Sequence, residues 1–255
     1  MGLTTLAGVA FEDHAPAGAA GAPLLLVHGS GGSHADWPEA LRRLPGRRVV
    51  AVDLPGHGAS PPPPERTVAG VAGRLVQLLD ALALPRAVVA GHSLGGAVAL
   101  SMALDAPSRV AGLVLVGTGA RLRVTPALLA LAADPARATE AGSVTAAASF
   151  GPAAPPALVE AYARAVAASP PGALHADLAA CDVFDVMARL GEIRAPTLVV
   201  VGDADRLTPP KYAAFLRDAV PGARLVVVPG AGHMVAREAA GTVAAAVEAH
   251  LASVP

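Results

Sequence analysis

The chain has 255 residues, of which 53% are apolar, and its formal net charge is −1. This apolar fraction is enough for a large core, so an intrinsically disordered protein is excluded. The 19 basic and 20 acidic residues leave no excess of positive charge to bind phosphates, and we expect no nucleic-acid partner. Cys181 is the single cysteine, which excludes an intramolecular disulfide and a cysteine-based zinc site.

The amino terminus predicts no export signal. The segment MGLTTLAGVAFEDH lacks the basic region and the long apolar segment of a signal peptide. The longest uncharged stretch of nearly membrane length, residues 87–104, contains His92, Ser93 and three glycines, a poor composition for a spanning helix. We therefore expect a soluble, cytoplasmic protein without a membrane partner.

Short apolar runs that end in turn residues predict strands buried on both faces of a sheet. Six such runs occur, at residues 24–27, 49–52, 87–90, 113–116, 198–201 and 225–228. Four helices are predicted around them, near residues 66–83, 94–106, 211–219 and 236–252. This alternation predicts an α/β fold with a doubly wound, mainly parallel sheet, and residues 6–12 predict a leading antiparallel pair.

One long segment interrupts the alternation. Residues 120–190 contain no strand-like run, only alanine-rich segments broken by prolines, and they are too long for an ordinary loop. They predict a helical lid inserted after the sixth strand, with helices near 126–133, 140–149, 156–168 and 173–189. The core would then consist of residues 1–119 and 191–255. The acidic run Asp177, Asp182 and Asp185 predicts a solvated helix face in the lid.

The uncharged stretch contains a nucleophile motif. Gly91-His92-Ser93-Leu94-Gly95 has the pattern G-x-S-x-G between a predicted strand and a predicted helix. Such a turn strains the serine backbone and directs its hydroxyl away from the sheet, and the glycines permit the strand and helix to approach closely. A serine hydroxyl is a poor nucleophile near neutral pH, so the motif requires a general base and an orienting acid.

Two later loops supply both groups. Asp203 and Asp205 follow the strand predicted at 198–201, and His233 follows the strand predicted at 225–228. With the elbow, in the chain order Ser, acid, His, these loops resemble the α/β-hydrolase fold family.

The resemblance extends from the strand at 24–27 to the C-terminus. It implies that Ser93 is the nucleophile, His233 the general base and Asp205 the orienting acid. The family spacing G-x-x-D-x-x-x-P favours Asp205 over its rival Asp203.

An oxyanion requires two hydrogen-bond donors in place, each worth about 2.7–4 kcal/mol. One is the backbone N–H that follows the nucleophile, on Leu94. The resemblance implies that the other is the N–H of Ser30, in the loop after the first long strand. Gly29 and Gly31 permit a close approach of this loop to the substrate, so we predict that both contribute to substrate binding.

Five larger side chains are candidates for substrate contact: Trp37, Phe150, Phe184, Leu207 and Met234. Packing is the alternative for the three aromatic residues among them.

Three histidines lie beside these loops. His28 and His57 are predicted to brace turns, and the side chain of His92 is predicted to leave the elbow on the side opposite the site. The spacings H-x-x-x-H and H-E-x-x-H are missing, and no glycine pattern of a dinucleotide site is complete. We therefore expect neither a metal nor another cofactor.

The nucleophile limits the reaction. Haloalkane dehalogenases and epoxide hydrolases of this family have Asp at the elbow, whereas Ser93 implies an acyl-enzyme. The elbow sequence and the lid length resemble those of small carboxylesterases, and the lid carries little charge. We predict a hydrolase, monomeric or homodimeric, that cleaves small-molecule carboxylic esters with small to medium apolar groups.

Other members of the family use the same triad. The alternatives are a perhydrolase or cofactor-free haloperoxidase, a C–C bond hydrolase, and an enzyme like the lyase of the menaquinone pathway. The lyase would need cationic pocket residues, for which Arg121 and Arg123 are candidates. A receptor without catalytic turnover is an alternative from a different class.

Overall fold

The computed structural model describes residues 2–254. Their strands form one eight-stranded sheet in the order β1-β2-β4-β3-β5-β6-β7-β8. The strands are β1 (Thr4–Leu6), β2 (Val9–His14), β3 (Leu24–Val27), β4 (Val49–Asp53), β5 (Ala87–His92), β6 (Val110–Val116), β7 (Thr197–Gly202) and β8 (Arg224–Val228). The pairs β1–β2 and β2–β4 are antiparallel and all the others are parallel. The predicted sheet, including its leading antiparallel pair, is confirmed.

Ten α-helices accompany the strands of the described chain. They are α1 (Glu39–Arg42), α2 (Val68–Ala81), α3 (Leu94–Asp105), α4 (Pro126–Ala132), α5 (Ala138–Ser149), α6 (Pro156–Ala167), α7 (Ala173–Val183), α8 (Pro210–Ala219), α9 (Val235–Glu238) and α10 (Ala240–Leu251). The sequence predicts one helix over residues 236–252, but two are present, because the chain leaves helical geometry at Ala239 (φ −133°).

The sheet is buried on both faces, since alternate residues of a strand point to opposite sides. In β3, Leu25 and Val27 join the apolar cluster that includes α2, α3 and α8 residues. Leu24 and Leu26 join the cluster on the other face, with α1 and α10. All four side chains are at most 1% exposed, which explains why the strands read as continuous apolar runs.

Helices α4–α7 lie between β6 and β7 and are called the insertion below. Their apolar residues form a cluster of their own, which includes Phe150 and Tyr162 with ring centroids 5.5 Å apart. The predicted helix over 173–189 ends earlier, at Val183, and a 3₁₀ segment follows at Met187–Glu192. Within residues 2–254, no helix combines the length and the apolar character needed to cross a bilayer.

Candidate active site

Ser93 lies on the sharp turn between β5 and α3. Its φ is 53° and its ψ is −115°, a strained conformation for a residue with a side chain. The neighbouring glycines explain how the chain tolerates this turn. A Cβ atom on Gly91 would lie 2.0 Å from the Gly95 oxygen, and one on Gly95 would lie 2.2 Å from the Val27 oxygen. Side chains at either position would therefore push the strand and the helix apart.

His233, on the loop after β8, is hydrogen-bonded to Asp205, on the loop after β7. His233 Nδ1 lies 2.9 Å from Asp205 Oδ2, and the two residues are 4% and 3% exposed. Because a carboxylate can only accept, Nδ1 carries the proton and Nε2 is left free to accept one. Asp203 is exposed, and its Oδ1 accepts from the N–H of Gly230 instead. The geometry thus selects Asp205 as the partner of His233.

Asp205 is held as a carboxylate by several donors. Its Oδ1 accepts from the N–H groups of Leu207 and Thr208, and its Oδ2 accepts from Thr208 Oγ1 at 2.8 Å. Burial alone would raise the pKa of Asp205, but the hydrogen bond to His233 and these other donors lower it below its ordinary value. Thr208 was not among the residues predicted from the sequence, although Asp side chains commonly bind backbone groups a few residues on in turns of this kind.

His92 contacts the site, contrary to the prediction from the sequence. Its Nε2 lies 3.0 Å from the backbone oxygen of His233, and the two rings are 4.8 Å apart. Burial lowers the pKa of His92 to about 3, so the neutral ring donates from Nε2 to this carbonyl. His92 thereby fixes the backbone of His233. The bond joins residues 141 positions apart, so no local pattern could have revealed it.

The loop after β3, residues 28–33, lies beside the turn and is called the oxyanion loop below. A Cβ atom on Gly29 would lie 2.8 Å from His92 Nδ1 and 3.2 Å from Ser93 Cβ, so glycine lets the loop approach the elbow this closely. Among the described residues, the backbone N–H groups of Ser30 and Leu94 have no acceptor, and both are free to bind a developing anion. His28 braces the loop, since its Nε2 accepts from Leu54 N–H and its Nδ1 contacts the Gly29 oxygen.

A cavity of about 440 Å³ lies between the sheet and the insertion. Ser93 and His233 both line it, together with Ser30 and His92. The rest of its wall is mainly apolar and comes from both parts of the chain. Residues of this kind include Leu122, Val124, Leu128, Val144, Ala148, Leu174, Leu178 and Leu207.

The five side chains predicted to contact substrate differ in whether they line the cavity. Leu207 lines the cavity, whereas Trp37, Phe150, Phe184 and Met234 do not. Phe150 and Met234 are buried in the cluster of the insertion, and Phe184 is buried in the cluster beneath α3. Trp37 borders a separate small void of about 10 Å³. In a chain with few aromatic residues these large apolar side chains are used for packing.

The two predicted loop glycines lie beside the cavity without forming its wall. Gly29 contacts the elbow, as described above. Gly31 lies beneath the insertion, where a Cβ atom would lie 3.0 Å from Leu174 Cδ1. Their part in the site is to shape the oxyanion loop.

Charged residues near the cavity differ in their surroundings. Arg123 lines the cavity and donates to the carbonyl of Asp182, whereas Arg121 pairs with Asp185 and does not line it. The lyase alternative therefore retains one of its two candidate cations.

The prediction of a solvated face is wrong for Asp177, which is 3% exposed. Within residues 2–254, no three His, Cys, Asp or Glu side chains gather as they would around a metal ion.

Comparison with known proteins identifies the family and several relatives of this chain. A model of the α/β-hydrolase fold family matches residues 22–240. A putative carbamate hydrolase, RutD, of Variovorax paradoxus (strain S110) is 38% identical over 243 residues, which cover 88% of each chain. A pimeloyl-[acyl-carrier protein] methyl ester esterase of Neisseria meningitidis serogroup B (strain H44/76) is 31% identical over 221 residues, 82% of this chain and 84% of the relative.

The solved structures extend the likeness to the whole fold. A thermophilic esterase matches with a TM-score of 0.84 and 34% identity, over 99% of this chain and 97% of its own. The family model covers the elbow, both later loops and the insertion between them. This chain is therefore a hydrolase and belongs to the α/β-hydrolase fold family.

Proposed function

We propose that the protein is a serine hydrolase that cleaves carboxylic esters with small to medium apolar groups through an acyl-enzyme. The observation that carries this proposal is that Ser93 and His233 line one cavity while Asp205 binds the far nitrogen of His233. The apolar wall of that cavity supports a neutral substrate. The presence of an esterase and a methyl ester esterase among the similar proteins supports ester cleavage.

The reaction follows from the positions of the three side chains. Ser93 Oγ attacks the ester carbonyl carbon while His233 Nε2 accepts the hydroxyl proton. The N–H groups of Ser30 and Leu94 bind the oxyanion of the tetrahedral intermediate. When the intermediate collapses, the C–O bond to the alcohol breaks and His233 returns the proton to the leaving oxygen. Water then attacks the acyl-enzyme in the same way and releases the acid and Ser93.

Hydrolysis of a series of p-nitrophenyl esters, from acetate to decanoate, tests the proposal. We expect release of p-nitrophenol with an optimum at short to medium chains, and loss of this activity in Ser93→Ala. If the wild type and Ser93→Ala are equally inactive on every ester, the proposal is wrong.

The assignment of the acid has a matched control two residues away. Asp205→Asn removes the carboxylate that fixes the His233 tautomer, and we expect kcat to fall by about 10⁴-fold. Asp203→Asn removes an exposed carboxylate of the same loop that binds Gly230, and we expect kcat to change less than about twofold. The opposite ranking would assign the role to Asp203.

Carbamate hydrolysis is the second candidate, because the relative named a putative carbamate hydrolase covers 88% of this chain. The same Ser93 attack on a carbamate carbonyl would release an alcohol or an amine. A phenyl carbamate assayed beside phenyl acetate distinguishes the two functions. A higher kcat/KM for the acetate supports ester hydrolysis as the function. A higher kcat/KM for the carbamate would make carbamate hydrolysis the function instead.

A further inference from the structure

Gly31 of the oxyanion loop is bound by the insertion through both of its backbone groups. Its N–H donates to Asp177 Oδ2 at 2.8 Å, and its carbonyl accepts from Ser169 Oγ at 2.5 Å. Asp177 lies on α7, and Ser169 lies on the connection between α6 and α7. Gly31 has a φ of +66°, a region that glycine enters as readily as others, so the local backbone alone does not keep it in this conformation. The insertion therefore holds the two peptide groups on either side of Gly31, one through Asp177 and the other through Ser169.

Asp177 also joins a third part of the chain. The same Oδ2 lies 2.9 Å from Nε2 of His57, in the loop after β4. His57 is 1% exposed and Asp177 is 3% exposed, so water does not compete for these hydrogen bonds. An unpaired buried carboxylate would be costly, and the hydrogen bonds from Gly31 and His57 offset that cost.

The surroundings of His57 determine its protonation. Its Nδ1 lies 3.1 Å from the carbonyl oxygen of Pro55, and its Nε2 faces the Asp177 carboxylate. Both partners accept, whereas a neutral imidazole has a single N–H, so the imidazolium is the form that satisfies both contacts. Burial alone would lower the pKa of His57, but the charge and hydrogen bond of Asp177, together with the Pro55 carbonyl and Asp53, raise it above its ordinary value.

The other titratable groups around His57 agree with this charge. Asp53, on β4, also favours the imidazolium. The ring of His28 lies 5.2 Å away, and burial lowers the pKa of His28 to about 4, so that ring is neutral. The positive charge of His57 thus faces two carboxylates and no other cation among these groups.

We propose that Asp177 is a positioning residue for catalysis, which holds the oxyanion loop through Gly31 and is itself held by His57. Asp177 binds the peptide that joins Ser30 to Gly31, and the N–H of Ser30, the proposed oxyanion donor, belongs to the peptide directly before it. The direction of that donor therefore depends on how Asp177 and Ser169 hold the backbone at Gly31. The inference rests on the proposed function for its catalytic consequence. The hydrogen-bonded link itself does not depend on the reaction.

Steady-state kinetics of Asp177→Asn test the catalytic consequence. We expect kcat for the best p-nitrophenyl ester to fall by about 10- to 100-fold, because a displaced oxyanion donor weakens the transition state. KM should change less than about threefold, since ground-state contacts in the cavity remain. Affinity for a trifluoromethyl ketone, which forms a tetrahedral oxyanion on serine, should fall by the same factor as kcat. Unchanged kcat and ketone affinity in the folded variant would overturn the proposal.

Asp185→Asn is the matched control. It removes a carboxylate that follows α7 and pairs with Arg121 at the base of the insertion. Asp185 is exposed and does not line the cavity, so kcat should stay within about twofold of the wild type. An equal loss in both variants would mean that kcat responds to any loosening of the insertion, which would overturn the specific role of Asp177.

Ser169→Ala provides a second test that does not disturb the buried charges. It removes only the hydrogen bond to the Gly31 carbonyl, and we expect kcat to fall by about 3- to 10-fold with KM little changed. If Asp177→Asn does not fold, the kcat of Ser169→Ala tests the proposal instead. A wild-type kcat in Ser169→Ala would then overturn the proposal.

NMR separates a failure of this inference from a failure of the proposed function. In the wild type we expect the Gly31 amide proton to resonate downfield, as a donor to a carboxylate, and both ring nitrogens of His57 to be protonated near neutral pH. In Asp177→Asn the Gly31 proton should move upfield. If the wild type cleaves no ester but shows these signals, the link stands and the proposed function fails. If His57 is neutral and the Gly31 signal is unaffected by the substitution, the link is wrong whatever the activity.

Discussion

The elbow leaves no space for a side chain at Gly91. A methyl group there would meet the backbone of Gly95 at 2.0 Å, and backbone cannot move aside as a flexible side chain can. We predict that Gly91→Ala lowers the free energy of unfolding by about 3 kcal/mol or more. Gly73 in α2 is the control, because it has nothing within 4 Å. Gly73→Ala should raise the free energy of unfolding by about 0.5–1 kcal/mol. Urea titrations of the two variants measure both values, and equal effects would contradict the prediction.

His92 should affect turnover but not its pH dependence. Burial keeps the pKa of His92 at about 3 and that of His28 at about 4, so neither titrates between about pH 5 and 8. His92→Phe keeps a ring but removes the donor to the His233 carbonyl. We predict that kcat falls by about 10-fold while the midpoint of the acid limb of the pH–rate profile stays in place. A displaced midpoint would show that His92 titrates with the catalytic base.

The sequence predicted those site residues whose roles follow from local spacing. Ser93 lies between two required glycines, and Asp205 lies at a fixed distance from the glycine and proline that surround its loop. The contacts of His92 with His233 and of Asp177 with Gly31 were not predicted, because the partners are 141 and 146 residues apart in the chain. Nothing near Asp177 in the chain distinguishes it from Asp185, which is exposed. Only the folded chain tells these two carboxylates apart.

Among the elements, helix starts were predictable where proline marks them. Pro126 and Pro156 are the first residues of α4 and α6, a position where the absent N–H costs nothing. Helix ends were less predictable in this alanine-rich chain, since alanine favours helix throughout. The end of α7 at Val183 and the break at Ala239 accordingly lie inside segments that the sequence predicts to be continuous helices.

Helix α7 should bind the core less strongly at alkaline pH. The pKa of His57 is raised above its ordinary value of 6.5, so its pair with Asp177 stabilises the fold fully below that value. This contribution is lost as the pH rises through the raised pKa. We predict that the difference in unfolding free energy between the wild type and Asp177→Asn narrows from about pH 6 to about pH 9. The same difference for Asp185→Asn should stay constant. A constant difference for Asp177→Asn would mean that His57 is neutral.

At the scale of the whole molecule, the cavity is formed by two parts of the chain that fold around it. The turn and loop that follow β5 and β8 contribute Ser93 and His233, and the insertion contributes much of the apolar wall. The sequence predicted both parts but not the residues of the wall, because two of its candidates, Phe150 and Phe184, are buried in the apolar clusters instead. The aliphatic lining of the cavity consists of leucine, valine and alanine, which are common throughout the chain, and Tyr162 and Tyr212 also line it.

The size of the cavity should set the preferred chain length of the ester. Ala148 lines the cavity, whereas its neighbour Ala147 is exposed and does not. We predict that Ala148→Phe raises KM for p-nitrophenyl octanoate by about 10-fold or more and leaves KM for the acetate within about twofold. Ala147→Phe, one residue away on α5, should leave both values unchanged. A uniform effect on all esters would show that the longer chains do not reach this wall.

An insertion transplanted from a relative would arrive without partners for Gly31 unless it carried a carboxylate and a hydroxyl at the positions of Asp177 and Ser169. The receiving core would in turn need a cation at the position of His57 to neutralise that carboxylate. The insertion and the sheet are therefore not interchangeable modules, although the chain is divided into them. Exchanging the insertion to change the substrate range would therefore also change the turnover rate. A hybrid enzyme keeps its rate only when the residues at the positions of Gly31, His57, Ser169 and Asp177 match one another.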